Sequence, residues 1–173
     1  HTHADLLSFE LAIGENDVFV DPGAYIYTAN AKANIEFRST KKHNTIVIDG
    51  KNQYILDEKN VFIGRNFPSP QYLFIDKQND YEICRGKYQI MIEDNKKLEH
   101  QRTFYLYSNT SLLKIEDQIK TTGNHEMEMF FHFTPEMNIY LNDNCICTIY
   151  NDAIDVEMSI ECTNGLKMNI QED

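Results

Sequence analysis

The strongest constraint on the fold of this chain is a rhythm of short alternating stretches separated by turn residues. The stretch HEMEMFFHF (125–133) shows the rhythm most clearly. Its methionines and two of its phenylalanines fall on one face of an extended chain, and its two glutamates fall on the other. Alternation of this kind is typical of β-strands with one buried face, and no stretch of useful length has helical periodicity. The pattern predicts an all-β fold, an antiparallel β-sandwich of about ten to twelve strands.

Length and charge narrow the possibilities further. The 173 residues fit one domain with a sizeable core, so residues 1–173 are expected to form a single domain. The longest apolar runs are only a few residues long, which leaves no membrane span. A formal net charge of −11 disfavours nucleic acid and membrane surfaces as partners. A polyanionic ligand would need a local basic patch.

Two stretches depart from the strand rhythm. Residues 22–44 form a long connection that is rich in aromatic and basic residues. Residues 64–72 contain two prolines and have the composition of a second surface loop. Long loops in compact β-domains are usually functional or disordered. Because the first connection follows closely on a histidine-rich stretch, we expect it to be functional.

The first residues of the chain, HTHAD, carry several groups that can bind a metal. In an extended strand, His1, His3 and Asp5 would point to the same side. Three polar groups on one strand face are poorly suited to a core, so they favour a functional site. An HxH pair can also be a surface accident or a tag remnant, and this alternative stays open from the pair alone.

A predicted hairpin adds a carboxylate to this site. The stretches 6–13 and 17–21 are separated by a gap of hairpin length, so His3 and Asp21 should meet at one end of the hairpin. His43 arrives from the long connection, directly before the next predicted strand. Two imidazoles and one carboxylate suit zinc with an open fourth position, whereas calcium would require more oxygen ligands.

Other interpretations of the same residues remain open. Asp21 precedes Pro22 and Gly23, where a turn-forming role is equally natural. A cupin-like metalloenzyme also uses an HxH pair and a later histidine, but its glutamate follows the pair closely, whereas here the next glutamate is Glu10. A β-sandwich that binds carbohydrate without chemistry, or that is purely structural, would use the same metal set for stability.

Longer motifs carry a family resemblance. The segments HTHADLLSF, DPG (21–23) and RSTKKHNT (38–45) resemble the HxHADxxSF, DPG and RSTxxHNT motifs of the heparinase II/III-like family of polysaccharide lyases, which includes alginate lyases. HQRTFYLYSNTSLLKIEDQI and HEMEMFFHFTPE are similar to strands of that family. The resemblance covers nearly all of the chain. It implies a two-part enzyme, in which a helical toroid precedes a C-terminal β-sandwich and substrate binds between them; this chain would be the sandwich.

The resemblance also implies roles for individual residues. His1 would project into the cleft and serve catalysis. His3, Asp21 and His43 would hold a structural zinc, which agrees with the metal set found from the residues themselves. The family's catalytic tyrosine, and the residue that neutralises the substrate carboxylate, come from the toroid. This chain by itself is therefore expected to be inactive. It is expected to bind one zinc ion, although fraying at the start of the first strand can leave the site unoccupied.

The implied activity is β-elimination on a polysaccharide that contains uronic acid, such as a glycosaminoglycan or alginate. Arg38 is the expected substrate-binding residue, because a guanidinium can hold a carboxylate with two hydrogen bonds. Lys41 and Lys42 are equally well explained as solvated surface charge. His100 and His125 begin predicted strands and are expected to be solvated.

The expected partners are an acidic polysaccharide or oligosaccharide and the helical domain. The expected location is the periplasm or exterior of a bacterium.

Overall fold

The computed structural model describes residues 3–23, 30–57, 63–92, 97–142, 145–162 and 170. Within these ranges every strand pairing is antiparallel, and no helix is long and apolar enough to cross a membrane. The predicted all-β class is confirmed, and the several antiparallel sheets are consistent with a β-sandwich. The thirteen strands in the described residues are β1 Leu11–Ile13, β2 Asn16–Phe19, β3 Ile46–Ile48, β4 Ile55–Leu56, β5 Gly64–Arg65, β6 Ser69–Lys77, β7 Glu82–Met91, β8 Lys97–Tyr107, β9 Leu112–Lys120, β10 Met127–Met129, β11 Asn138–Leu141, β12 Ile146–Tyr150 and β13 Asp155–Ser159.

Contacts group the chain into two compact units. The first comprises His1–Phe9 and Asp21–Phe131, and the second comprises Glu10–Val20 and His132–Asp173. The first unit holds a four-stranded sheet in the order β6-β7-β8-β9, together with the pairs β3–β10 and β4–β5. The second unit holds the hairpin β1–β2 and a three-stranded sheet in the order β11-β12-β13.

The core of the first unit lies against one face of the four-stranded sheet. Alternate residues of β8, namely Leu98, His100 and Arg102, are fully buried. Leu98 packs with Ile46 and Ile48 of β3 in an apolar cluster. A row that is apolar at one end and charged at the other is unusual for a core, because burying charge is costly unless it is paired. The expectation that His100 is solvated is therefore wrong.

The predicted hairpin at residues 14–16 is confirmed, but its first strand is shorter than expected. Leu11 pairs with Phe19, and Ile13 pairs with Asn16. The predicted strand over 6–13 begins only at Leu11, because the preceding segment turns: Leu7 has a φ of 63°. The alternation argument for His3 therefore used the wrong local structure.

A short helix occupies part of the long connection that was expected to be a loop. Helix α1 spans Ala31–Phe37 and begins at Asn30, whose side chain accepts a hydrogen bond from the Ala33 amide. Seven residues make only two turns, too few for helical periodicity to be recognised in the sequence. A 3-10 helix at Thr40–Lys42 follows.

The second predicted loop, 64–72, instead contains β5 and the start of β6. Pro70 lies within β6, which is an edge strand of its sheet, and the register shifts between Pro70 and Tyr72. Proline lacks the N–H that an inner strand needs, but an edge strand with a bulge accommodates it. The prolines were therefore a misleading loop signal.

Candidate metal centre

Three side chains from distant parts of the sequence converge in the first unit. His3, Asp21 and His43 each place one potential ligand atom within 4.8 Å of the others. The ring centroids of the two histidines are 5.3 Å apart, and Asp21 Oδ2 lies 2.6 Å from His43 Nδ1. The residues that the sequence predicted as a metal set are therefore brought together, and they form a possible metal cluster.

Local turn structure fixes the aspartate and the second histidine. Asp21 Oδ1 accepts a hydrogen bond of 2.9 Å from the Gly23 amide. Gly23 has a φ of +61°, a backbone conformation that is strained for residues with a side chain. The turn leaves Oδ2 of Asp21 for His43. His43 follows the 3-10 helix Thr40–Lys42 and is fully buried. Asp21 and His43 therefore meet at a site in which His43 is shielded from solvent.

The segment that carries His3 is bonded to the segment that carries His43. The Asn44 amide donates to Ser8 Oγ at 3.0 Å, and its side-chain amide donates to the Phe9 carbonyl at 2.8 Å. Thr45 Oγ1 donates to the Leu6 carbonyl at 3.0 Å. These three bonds join residues 6–9 to residues 44–45. The HNT part of the motif therefore holds the amino-terminal segment in place.

One ring nitrogen of His43 is buried without a hydrogen-bond partner. His43 Nε2 is the only buried side-chain nitrogen or oxygen in the described part of the chain that has no hydrogen-bond partner. Such an atom is costly in a core and requires an explanation. When the Nδ1–H of His43 donates its hydrogen bond to Asp21, Nε2 keeps a free lone pair, which is how metal-binding histidines are commonly presented. The donor set therefore fits a metal ion.

The electrostatics of the cluster also favour metal-binding forms. Burial lowers the pKa of His3, and the nearby His43 lowers it further. Burial acts to raise the pKa of Asp21, but hydrogen bonds from His43 and from the Gly23 amide outweigh it and lower the pKa overall. A neutral imidazole and an ionised carboxylate at neutral pH are the forms that bind metals.

Asp21 can serve such a centre in two ways. Its carboxylate can remain on Nδ1 of His43 and orient the ring, or it can turn toward the metal and bind it directly. Direct binding is the role implied by the family resemblance. In this structure Asp21 Oδ2 lies 2.6 Å from His43 Nδ1, whereas the nitrogen of His43 without a partner is Nε2. Direct binding of a metal by Asp21 therefore requires the metal to replace the proton between Asp21 and Nδ1, or the carboxylate to leave Nδ1.

The other predicted site residues are placed differently. His1, the predicted catalytic residue, lies outside the described residues. Arg38 is only 4% exposed, and its guanidinium contacts Asn34 Oδ1 at 3.4 Å and hydrogen-bonds Tyr54. Its role in substrate binding stays a prediction, which requires the guanidinium to become accessible. Lys41 is exposed beside Glu36.

A buried ionic network was missed in the sequence. Arg102 Nε and an Nη donate to the two carboxylate oxygens of Asp117 at 2.8 and 3.0 Å. His100 Nε2 lies 2.6 Å from the same carboxylate, and its Nδ1 lies 3.2 Å from the Tyr88 hydroxyl. The sequence signal was available: His100 and Arg102 share a strand face with Leu98, and Asp117 lies between two isoleucines. Polar residues in the middle of an apolar face indicate a paired group inside the core.

His125 was also expected to be solvated, and the structure places it differently. Its side chain is 12% exposed, and Nδ1 lies 2.8 Å from Asp49 Oδ2, while Asp49 Oδ1 accepts the Glu126 amide at 3.0 Å. The pair borders a cavity of about 570 Å³ whose lining combines six isoleucines with polar and aromatic residues. His3, Asp21 and His43 do not line this cavity, so it is separate from the metal cluster.

Comparison with known proteins assigns the family. The model of the heparinase II/III-like C-terminal family matches residues 1–173, the whole chain. The chain therefore belongs to the heparinase II/III-like C-terminal family, and the resemblance seen in the sequence motifs is confirmed. No curated protein and no solved structure gives a significant match.

Proposed function

We propose that residues 1–173 form the β-sandwich part of a polysaccharide lyase that cleaves uronic-acid polysaccharides by β-elimination. The observation that carries the proposal is the convergence of His3, Asp21 and His43, three residues of the family motifs, with one buried histidine nitrogen left unsatisfied. Membership of the heparinase II/III-like family supplies the reaction class.

The reaction requires several groups around one sugar ring. A base removes the proton from the carbon next to the uronate carboxylate, the electron pair forms a carbon–carbon double bond, and the glycosidic oxygen leaves with a proton from an acid. Because the first proton is weakly acidic, the site must neutralise the carboxylate and hold the base close. His1 is the group of this chain that we assign to catalysis, since an imidazole titrates near neutral pH. The remaining groups belong to the helical domain.

Zinc is the metal that the cluster suits best. Two histidines and one carboxylate provide three ligands and leave one position open. When bound, zinc would stabilise the folded sandwich by cross-linking the segments that carry these residues. His3, Asp21 and His43 would hold it, and no catalytic step is assigned to it.

The proposal includes partners and a location. The substrate is an acidic polysaccharide or oligosaccharide, and the helical domain of the same enzyme closes the cleft. Extracellular polysaccharides are degraded outside the cytoplasm, so we propose the bacterial periplasm or exterior as the location. The net charge of −11 means that cationic groups for the substrate must be concentrated locally.

An ultraviolet assay tests the reaction class. The lyase that contains this sandwich and its helical domain should generate an absorbing unsaturated uronate from heparan sulfate or alginate, whereas residues 1–173 by themselves should not, because elimination needs groups on both sides of the ring. The same polymer with its carboxylates reduced to alcohols is the matched control and should give no signal. Absorbance growth with residues 1–173 alone would contradict the division of roles. A folded intact protein that is silent on all uronates would favour a non-catalytic carbohydrate-binding sandwich.

Zinc analysis tests the metal assignment. The wild-type chain should bind one zinc ion, and His3→Ala should weaken binding by more than about 100-fold, since even loss of an outer-shell partner costs 10–100-fold. His125→Ala is the matched control, because it removes a histidine that also contacts a carboxylate but lies outside the cluster. Competition with a chromogenic chelator measures both affinities. Undiminished binding by His3→Ala would refute the assignment.

A further inference from the structure

Arg102 contacts the two segments that carry the histidines of the metal centre. It is fully buried, and one Nη donates to the Leu7 carbonyl at 2.7 Å and to the Asn44 carbonyl at 2.6 Å. Leu7 lies four residues after His3, and Asn44 directly follows His43. A single nitrogen of a β8 side chain therefore binds both ligand-bearing segments.

The guanidinium is itself held from the opposite side. Asp117, directly opposite Arg102 on β9, accepts from Nε and from the other Nη, and the sheet register sets this pairing. His100 contacts the same carboxylate. Because the sheet fixes Asp117 and Asp117 fixes the plane of the guanidinium, the position of the third nitrogen is determined. Through Asp117 and Arg102, the carbonyls of Leu7 and Asn44 are therefore held in place relative to the four-stranded sheet.

We propose that Arg102 is a positioning residue of the metal centre, which sets the separation of the His3 and His43 segments and thereby the affinity for zinc. The inference rests on the proposed zinc site. Residues 6–9 and 44–45 are bonded to each other but have little regular structure, since the strand expected over 6–13 begins only at Leu11. Arg102 joins both to a strand of eleven residues.

The geometry requires a guanidinium. Four hydrogen bonds leave Arg102 in two directions, two toward the carboxylate and two toward the carbonyls. A lysine ammonium is a point charge with three donors on one atom, so it cannot span both groups from the same position. Arg102→Lys keeps the positive charge next to Asp117 but loses the connection to at least one ligand segment.

The test compares two arginines of the same sheet. Arg85 of β7 donates from Nε to Thr103 Oγ1 and, among the residues that the structure describes, makes no hydrogen bond to either ligand segment, so Arg85→Lys is the matched control. We expect Arg102→Lys to bind zinc about 10–100-fold more weakly than wild type, the range typical of outer-shell partners, and Arg85→Lys to stay within about two-fold. Chelator competition gives the affinity, and circular dichroism of the metal-free proteins selects a temperature at which all three are folded.

The outcomes separate this inference from the zinc assignment. Equal zinc affinity of folded Arg102→Lys and wild type would overturn the positioning role and leave the zinc site intact. Absence of zinc from the wild-type chain would overturn both. If Arg102→Lys does not fold, Asp117→Glu keeps the charge pair and displaces the guanidinium by one methylene group. The same weakening is then expected, and unchanged affinity would again overturn the role.

Discussion

Replacing His1 with alanine in the intact lyase should lower kcat by about 10²–10⁴-fold, the usual contribution of a positioned acid or base. The loss should appear in kcat rather than in substrate affinity alone, because an acid or base stabilises the transition state of proton transfer and not the bound substrate. Steady-state absorbance assays on a uronic-acid polysaccharide measure both constants. Zinc content and thermal stability should remain those of wild type, since His1 is assigned outside the metal set.

The comparison with His3→Ala makes this result specific. His3→Ala should lose zinc and stability, and it should lose activity only as far as the fold is lost. A carbohydrate-binding sandwich would tolerate loss of His1 and still require His3, Asp21 and His43. An intact lyase whose His1→Ala variant retains full kcat would therefore contradict the catalytic assignment, even if the metal site proved correct.

Asp117→Ala should destabilise the protein by about 3–5 kcal/mol, the usual cost of removing one partner of a buried ion pair. The loss leaves the guanidinium of Arg102 buried without its carboxylate, and it also removes a partner of His100. Equilibrium urea unfolding of the metal-free proteins measures the free energy of unfolding. The metal-free state is required because zinc binding would otherwise contribute by mass action.

An exposed pair of the same sheet supplies the control for Asp117→Ala. Glu82 pairs with Lys77 at the protein surface, and Glu82→Ala should change stability little, because exposed ion pairs are solvated and screened. Equal effects of the two substitutions would contradict the buried network.

The pH dependence of the Asp117→Ala effect has a defined sign. Burial acts to raise the pKa of Asp117, but hydrogen bonds from His100 and Arg102 outweigh it and hold the pKa below its ordinary value of 3.8. The unfolded chain therefore binds this proton first as the pH falls. The stabilisation is fully present above a pH of about 5 and is lost as the pH falls through the folded-state pKa, so the difference in stability between wild type and variant should become smaller in acid.

The fold class was predictable because the signals for strands are local. Alternation with a period of two and turn residues such as Gly14 act over a few neighbours, and they identified the hairpin and most strands. The same local signals failed where a short element had no room for a period, as in α1 at Ala31–Phe37. They also failed where tertiary position overrode composition, as at Pro70 on an edge strand.

The metal cluster was predictable as a set of residue types, but its supporting network was not. His3 reaches the cluster from an irregular segment that precedes the turn at Leu7, rather than from the predicted strand, so the correct set followed from partly incorrect geometry. Arg102, Asp117 and His100 meet only because the registers of β8 and β9 place residues 102 and 117 opposite each other. Register depends on pairing between distant segments, and single-sequence patterns specify it weakly.

Anomalous X-ray diffraction at the zinc edge, on crystals grown with saturating zinc, tests the central claim most directly. The account predicts one strong peak within about 2.0–2.2 Å of a nitrogen of His3, a nitrogen of His43 and a carboxylate oxygen of Asp21. A peak bound only by the two histidines, with Asp21 still on His43 Nδ1, would correct the role of the carboxylate. A peak elsewhere in the protein, or no peak at saturating zinc, would contradict the metal centre.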